Sequence, residues 1–225
     1  MSKLAVIVAG GSGLRMGNEL PKQFLLLEGK PILLYSIDAF LQAYADININ
    51  LVIPLHYIDY TKDLLKNFGY SSHIKIIEGG ETRFHSVKNG IRNAHVGDII
   101  FVHDAVRCLL SSTLIQRCYE MASEKGSAIP VVPIRDSMRR VLNPGLSEVV
   151  SREHLYAVQT PQTFKAEVLL DAFKVDFSQV FTDEATVVEQ TGVHVFTVEG
   201  EEQNIKITYP EDLLYAKWRL GLGRS

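Results

Sequence analysis

The chain has 225 residues, 46% hydrophobic and 22% charged, with 23 Lys and Arg against 26 Asp and Glu for a net charge of −3. That length suits one α/β domain with a buried core, and the weak negative balance argues against a large non-specific nucleic-acid surface. No apolar run approaches the roughly 18 residues of a membrane span, and Leu4–Ala9 is too short for a signal-peptide core, so a soluble, cytoplasmic protein is expected. The two cysteines, Cys108 and Cys118, match neither a metal-ligand spacing nor a disulfide framework and read as reduced thiols.

From the N-terminus, short runs rich in Val and Ile alternate with helical patterns. Leu4–Val8, Ile49–Ile53, Ile74–Ile77, Ile99–Val102 and Ala128–Val132 read as buried strands. Between them the spacing predicts helices over Ile32–Tyr44, Ile58–Phe68, Arg83–Ala94 and Ser111–Lys125, the last opened by N-cap candidates Ser111-Ser112-Thr113. This order predicts a Rossmann-like, mostly parallel twisted sheet with helices on both faces. Ligands of such sheets bind beyond the carboxyl ends of the strands. The rhythm breaks after Pro133. Residues 134–155, with the turn signal Asn143-Pro144-Gly145, predict a hairpin-like excursion from the main sheet. Helices resume at Ala166–Phe173 and Glu184–Gln190. A strand is expected at Val193–Val198, an extended stretch around Ile205–Ile207, and a last helix starting near Pro210. No linker divides the chain, so residues 1–225 read as one domain.

The first strand runs into Ala9-Gly10-Gly11-Ser12-Gly13-Leu14-Arg15-Met16-Gly17. Glycines let the backbone approach a ligand and aim several N–H groups at phosphate oxygens. Counted from Gly11 the spacing is Gly-x-Gly-x-x-x-Gly, one residue longer than a dinucleotide fingerprint, and no Gly-Lys-Ser/Thr ends it as in a P-loop. Arg15 within the loop and Lys22 beyond it suit a polyphosphate, because fixed cations stabilise charge that spreads over phosphate oxygens during transfer.

A second polar cluster ends the fourth strand: Val102-His103-Asp104-Ala105-Val106-Arg107. A carboxylate there lies beside the first loop in a parallel sheet, which makes Asp104 a candidate Mg²⁺ ligand. Arg107 suits bidentate phosphate binding or a surface salt bridge to Asp104. His103 reads as a structural hydrogen-bonding residue. Gly79-Gly80-Glu81-Thr82 follows the third strand and precedes a helix, whose N-terminus would point toward the ligand. Ser86 in that helix suits either a base or ribose contact or simple burial.

Eight strings in order, AGGSGLRMGNELPKQF, GGETRFHSV, VHDAVR, DSMRRV, YAVQTPQTF, FTDEA, EGEEQNIKIT and PEDL, span nearly the whole chain. Together they closely resemble the 2-C-methyl-D-erythritol 4-phosphate cytidylyltransferase family of the non-mevalonate isoprenoid pathway. The resemblance implies a nucleotide-diphospho-sugar transferase type of α/β fold with a projecting β-arm, here about 134–156, used for dimerisation. It implies transfer of CMP from CTP, with a divalent cation, Mg²⁺, to methylerythritol phosphate. By the same resemblance Ala9, Gly10, Gly11 and Gly13 hold the triphosphate, and Arg15 and Lys22 stabilise the transition state. Gly80, Ser86 and Ala105 hold the cytidine. Asp104, which also takes the metal, lies with Arg107, Arg152, Thr182 and Lys206 around the second substrate. A homodimer with embracing arms would lend Arg152 to the partner subunit's site.

Two positions depart from the family pattern. Cys108 stands where a proline often follows the arginine of HDAxR, and Arg139 in Asp136-Ser137-Met138-Arg139 stands where lysine is usual, with a different donor geometry. The related ribitol 5-phosphate cytidylyltransferases commonly carry HDSVRPF and TDACK; Ala105 and Thr182-Asp183-Glu184-Ala185 favour the erythritol enzyme instead. A nicotinamide-dependent oxidoreductase is the alternative from another class. The glycine spacing, and Ile53-Pro54 where a ribose-binding acid belongs, count against it.

Overall fold

The computed structural model describes residues 1–10, 20–70 and 74–222. In chain order, β1 (Lys3–Val8) is followed by a 3-10 turn at Lys22–Phe24 and a small ladder of β2 (Leu26–Leu27) and β3 (Lys30–Pro31). Then come α1 (Ile32–Ala43), β4 (Asn48–Ile53), α2 (Ile58–Asn67), β5 (Ile74–Glu78), α3 (Arg83–Ile91), β6 (Ile99–Asp104), α4 (Ser112–Lys125) and β7 (Ser127–Pro133). The second half holds β8 (Met138–Asn143), β9 (Leu146–Val150), β10 (Tyr156–Val158), β11 (Gln162–Lys165), α5 (Ala166–Ala172), α6 (Glu184–Glu189), β12 (Thr197–Glu199) and α7 (Pro210–Leu222).

Strands β5, β4, β1 and β6 lie side by side in parallel. β11 then inserts antiparallel between β6 and β7, and β12 pairs with β7 in parallel. β10 runs antiparallel along the Val131–Pro133 end of β7. The pleat sends alternate residues to opposite faces, so each face has its own core. Ala5 and Ile7 of β1 pack with Leu33, Ile37 and Phe40 of α1 and Leu114 and Cys118 of α4. Leu4, Val6 and Val8 pack with Phe84 and Val87 of α3, Leu169 of α5 and Val188 of α6. This is the expected mostly parallel sheet with helices on both faces.

Helix ends follow local chemistry. The Ser111 side chain accepts from Leu114 N at the start of α4, and Gly126 closes that helix at φ 96°. The cysteine thiols are both buried, which pushes each up to about 12.

The expected strand at Val193–Val198 is shorter, Thr197–Glu199, and the Ile205–Ile207 stretch joins no sheet. β10 and β11 carry no apolar run that would announce them. Gln162 and Thr163 are buried polar residues and Pro161 interrupts the pattern, so periodicity alone passes over a strand in the middle of the sheet. The hairpin after Pro133 is present as β8 and β9, which pair only with each other. All six residues of β8 are exposed, and Val141 (72%) and Val149 (76%) stand bare. Arg139 donates to Ser147 Oγ at 2.7 Å across this hairpin.

Gly90 sits where α3 presses on the sheet. A Cβ there would lie 2.4 Å from Val6 Cγ1 and 3.0 Å from Val52 Cγ2, on two fully buried strand residues. In an exposed helix Gly→Ala gains about 1 kcal/mol. Here Gly90→Ala should instead destabilise by about 1–3 kcal/mol, the usual cost of overpacking. Urea denaturation checks this, and a stabilised variant would show that the α3–sheet contact yields.

Candidate active site

β6 is buried along its whole length and lies parallel to β1 with Val8 opposite Asp104. Asp104 therefore emerges at the strand end beside Ala9 and Gly10, and Ala105 N donates to Val8 O at 3.0 Å just beyond it. The strand ends thus bring together the glycine-rich segment and the HDAVR segment. Ala9 is fixed on both sides: its N–H donates to Val52 O at 2.9 Å and its carbonyl accepts from Gln23 Nε2 at 2.6 Å. Gly10 is exposed. Gly11, Gly13 and Arg15 lie outside the described residues.

Asp104 is 8% exposed and meets three cations. Arg83 Nε and Nη2 both donate to Oδ1 at 3.2 Å. Lys206 Nζ reaches Oδ2 at 2.8 Å, and Arg107 Nε stands 4.0 Å from Oδ2. Burial opposes ionisation, but Arg83, Lys206 and Arg107 outweigh it and hold the Asp104 carboxyl well below the usual carboxylate range. Arg83 turns its other edge to Glu184 in the first turn of α6, with Nη2 donating to Oε2 at 3.0 Å. Glu184 is 1% exposed, and burial pushes it upward despite that single partner. Burial also works against the charge of Arg83, but the two carboxylates more than offset it and raise its pKa.

The segment 203–207 crosses this cluster as a strap. Ile207 N donates to Val106 O at 3.0 Å, and Arg107 Nη1 donates to Asn204 O at 2.7 Å. Lys22, buried in its 3-10 turn, donates from Nζ to Ile207 O at 2.8 Å. Asn204 is fully buried and donates from Nδ2 to Thr160 O at 2.8 Å. Thr160 Oγ1 accepts from Asp104 N at 3.1 Å and shares a second hydrogen bond with His103 Nδ1, 2.9 Å away. Burial pushes His103 down to about 3, so the imidazole is neutral and serves as a structural hydrogen-bonding residue, as its sequence position suggests.

On the opposite flank Gly80 N donates to Ser86 Oγ at 3.1 Å, and Ser86 is buried. A Cβ on Gly80 would lie 2.3 Å from His85 Cβ, so this turn requires glycine. Thr82 caps α3 by accepting from His85 N. Ala105 is fully buried, with its carbonyl accepting from Ser36 Oγ at 3.1 Å. Thr182 is exposed and directly precedes Asp183, the N-cap of α6, two positions from Glu184. Arg152 stands apart: it is exposed at the foot of the β8–β9 hairpin and donates to Arg135 O.

Asp104, Arg107, Lys22 and Lys206 are thus brought together, Gly80, Ser86 and Thr182 flank them, and Arg152 is not in the cluster. Sequence reasoning passed over Arg83, Glu184, Thr160 and Asn204. Arg83 and Glu184 both lie inside quoted strings, GGETRFHSV and FTDEA, but a partnership across 101 positions leaves no local spacing to detect.

Residues 3–221 match the family model of IspD, 2-C-methyl-D-erythritol 4-phosphate cytidylyltransferase. The chain is 45% identical over 213 residues to the protein of that name from Bacteroides thetaiotaomicron, covering 95% of this chain and 97% of the relative. Among solved structures, it resembles the Francisella tularensis 2-C-methyl-D-erythritol 4-phosphate cytidylyltransferase with a TM-score of 0.80 at 29% identity, covering 97% and 100% of the two chains. The Thermus thermophilus structure of the same name gives a TM-score of 0.76 at 29% identity over 100% of both chains.

Removing one member of a buried ion-pair network leaves uncompensated charge and costs about 3–5 kcal/mol. Arg83→Leu should lose stability of that order in urea denaturation. Arg83→Leu combined with Glu184→Gln should recover part of the loss. A loss below about 1 kcal/mol, or additive effects, would show that Arg83 is not the counter-ion of Glu184.

Proposed function

The chain belongs to the 2-C-methyl-D-erythritol 4-phosphate cytidylyltransferase family, and from that premise we propose that it transfers CMP from CTP to 2-C-methyl-D-erythritol 4-phosphate. The products are 4-diphosphocytidyl-2-C-methyl-D-erythritol and pyrophosphate, the former an isoprenoid precursor. The observation that supports this most directly is the ion pair of Lys206 and Asp104, 2.8 Å apart. It draws the NIK segment onto the HDAVR segment beside the end of β1, where two phosphate-bearing substrates can meet.

An oxygen of the methylerythritol phosphate attacks the α-phosphorus of CTP. The bond from that phosphorus to the α,β-bridging oxygen breaks, and pyrophosphate leaves with the electron pair. The attacking monoester oxygen already bears negative charge, so no general base is required, and His103, buried and neutral, is not asked to act as one. The work is alignment and charge neutralisation. Gly10, Gly11 and Gly13 hold the triphosphate, Ala9 anchors the start of their segment through its bond to Val52 O, and Arg15 and Lys22 neutralise charge gathering on the phosphate oxygens. Gly80, Ser86 and Ala105 bound the cytidine side. Lys206, Arg107 and Thr182 receive the polyol phosphate, with Asp104 orienting Lys206.

Asp104 also suits a divalent cation, Mg²⁺. Its Oδ1 is filled by Arg83, but Oδ2 receives one close donor, and a carboxylate has roughly four lone-pair sites. Among the described residues no three His, Cys, Asp or Glu side chains converge on one metal position. A single carboxylate plus substrate phosphates is a normal magnesium environment. Bound there, the ion supplies further neutralisation of phosphate charge.

The arm at about 134–156 serves dimerisation in this reading, and the whole chain 1–225 acts as one nucleotidyltransferase domain. Val141 and Val149 are bared on a hairpin that, among the described residues, pairs with no other strand, as expected of a surface awaiting a second copy. Arg152 at its foot then serves the partner subunit's active site. We assign the enzyme to the cytoplasm; among the described residues no helix is long and apolar enough to cross a membrane. Neither nucleic acid nor membrane is a partner.

Three experiments test this reading. With CTP and Mg²⁺, pyrophosphate release should be faster with methylerythritol phosphate than with ribitol 5-phosphate, and the reverse order would reassign the substrate. In the same assay Lys22→Ala should lower turnover on the order of 10²–10³-fold, by analogy with loss of one oxyanion donor. Its melting temperature should fall only modestly, from loss of the bond to Ile207 O; unchanged turnover with a collapsed melting temperature would make Lys22 structural. For the arm, light scattering of Val141→Asp/Val149→Asp should give a monomer where the unsubstituted chain gives a dimer, and a monomer in both would remove the arm's role.

A further inference from the structure

We propose that a cavity of about 400 Å³, bordered by α1, the Cys108–Ser111 segment and α7, is a second ligand site that takes a small organic molecule bearing one carboxylate or phosphate. None of Asp104, Lys22, Arg107 or Lys206 lines it, so it is separate from the catalytic cluster and stands independently of the assigned reaction. Its size falls within the range of small-molecule pockets, about 300–1,000 Å³.

The walls are of two kinds. Tyr35 and Ala39 of α1, Leu109 and Leu110, and Leu220 of α7 supply apolar surface. Arg219 of α7 supplies the charge. Its guanidinium donates to Gln203 Oε1, a neutral acceptor, and stands 5.9 Å from the ring centre of Trp218. A guanidinium has five N–H donors in a planar fork that matches a carboxylate or phosphate. No carboxylate among the described residues forms an ion pair with it.

The nearby acids are committed elsewhere. Asp38, which lines the cavity, is held by Lys30 Nζ and by the Tyr70 hydroxyl. Glu201 lies outside the lining and accepts from Ser111 Oγ at 2.6 Å and Gln203 Nε2 at 3.3 Å. Half-buried and lacking an acidic partner, Arg219 at one end of a partly apolar cavity recognises an oxyanion, and the apolar walls favour one attached to an organic body over an inorganic ion.

Trp218 is the one tryptophan in the chain, so its fluorescence reports on Arg219 directly. The unsubstituted enzyme, with saturating CTP to fill the triphosphate site, is titrated with benzoate, phenylphosphate and benzamide, with calorimetry in parallel. Benzoate or phenylphosphate should give a saturable signal, whichever binds more tightly naming the oxyanion, and neutral benzamide none. Arg219→Gln should weaken binding at least tenfold while leaving pyrophosphate release unchanged. Gln42→Phe, at the exposed rim of the cavity, should weaken binding without removing any charge. The proposal is overturned by no saturable response to either anion, by benzamide binding equally well, by undiminished binding in both variants, or by a response that CTP abolishes.

Discussion

The ligand end of this molecule is organised around one desolvated carboxylate. Asp104 sits at the end of a fully buried central strand, where an isolated charge would be far too costly to keep. It stays ionised because Arg83, Lys206 and Arg107 converge on it from α3, the 203–207 strap and the turn after β6. Those three segments are remote in sequence. Meeting the needs of one carboxylate therefore fixes the position of three others, and the ion network doubles as the assembly of the site. Glu184 extends the same logic: it balances the outer edge of Arg83 and thereby ties α6, with Thr182 at its threshold, to the centre.

The strap gives this network its reach. Residues 203–207 join no sheet, yet hydrogen bonds tie them down at several points. Ile207 bonds through its backbone to Val106 and Lys22, while Asn204 bonds to Arg107 and Thr160. A segment without strand or helix regularity is held in place by side chains and backbone groups from three other parts of the chain. Gln203, its first residue, also touches Arg219 in the neighbouring cavity, so one short segment borders both pockets.

The strands and helices of the first half were legible because each is a single periodic apolar run. β1, β4, β5 and β6 need only their own residues to declare themselves, and parallel order follows from the helices between them. The residues proposed to handle phosphate were picked out for a similar reason, since glycines and cations cluster within short strings of the sequence. What escaped was non-local. β11 is a strand of buried polar residues whose amides and hydroxyls find partners far away: Gln162 Nε2 bonds to Asp183 and its Oε1 accepts from Ala185 N. Arg83 and Glu184 look like ordinary helix-start charges until the fold sets them face to face. Thr160 and Asn204 carry no chemical signature at all, because their role is to hold His103, Asp104 and Arg107 rather than to touch a ligand.

The balance of charge explains why such a site needs no acid–base residue. Arg83, Arg107 and Lys206 are three cations gathered around two carboxylates, Asp104 and Glu184, and Lys22 is a fourth cation held on the nearby Ile207 carbonyl. Arg83 lies between both acids and is largely spoken for. Lys206 keeps much of its side chain in solvent at 45% while resting on Asp104, so it is both oriented and reachable. The most exposed of these cations, Lys206, therefore faces outward from a rigid, buried base. A site of that kind attracts phosphate oxygens and holds its cations in place before substrate arrives, so little reorganisation is left for the moment of transfer. In the proposed transfer Asp104 serves chiefly by deciding where Lys206 points, and its buried partnership with Arg83 is what allows it to hold that direction.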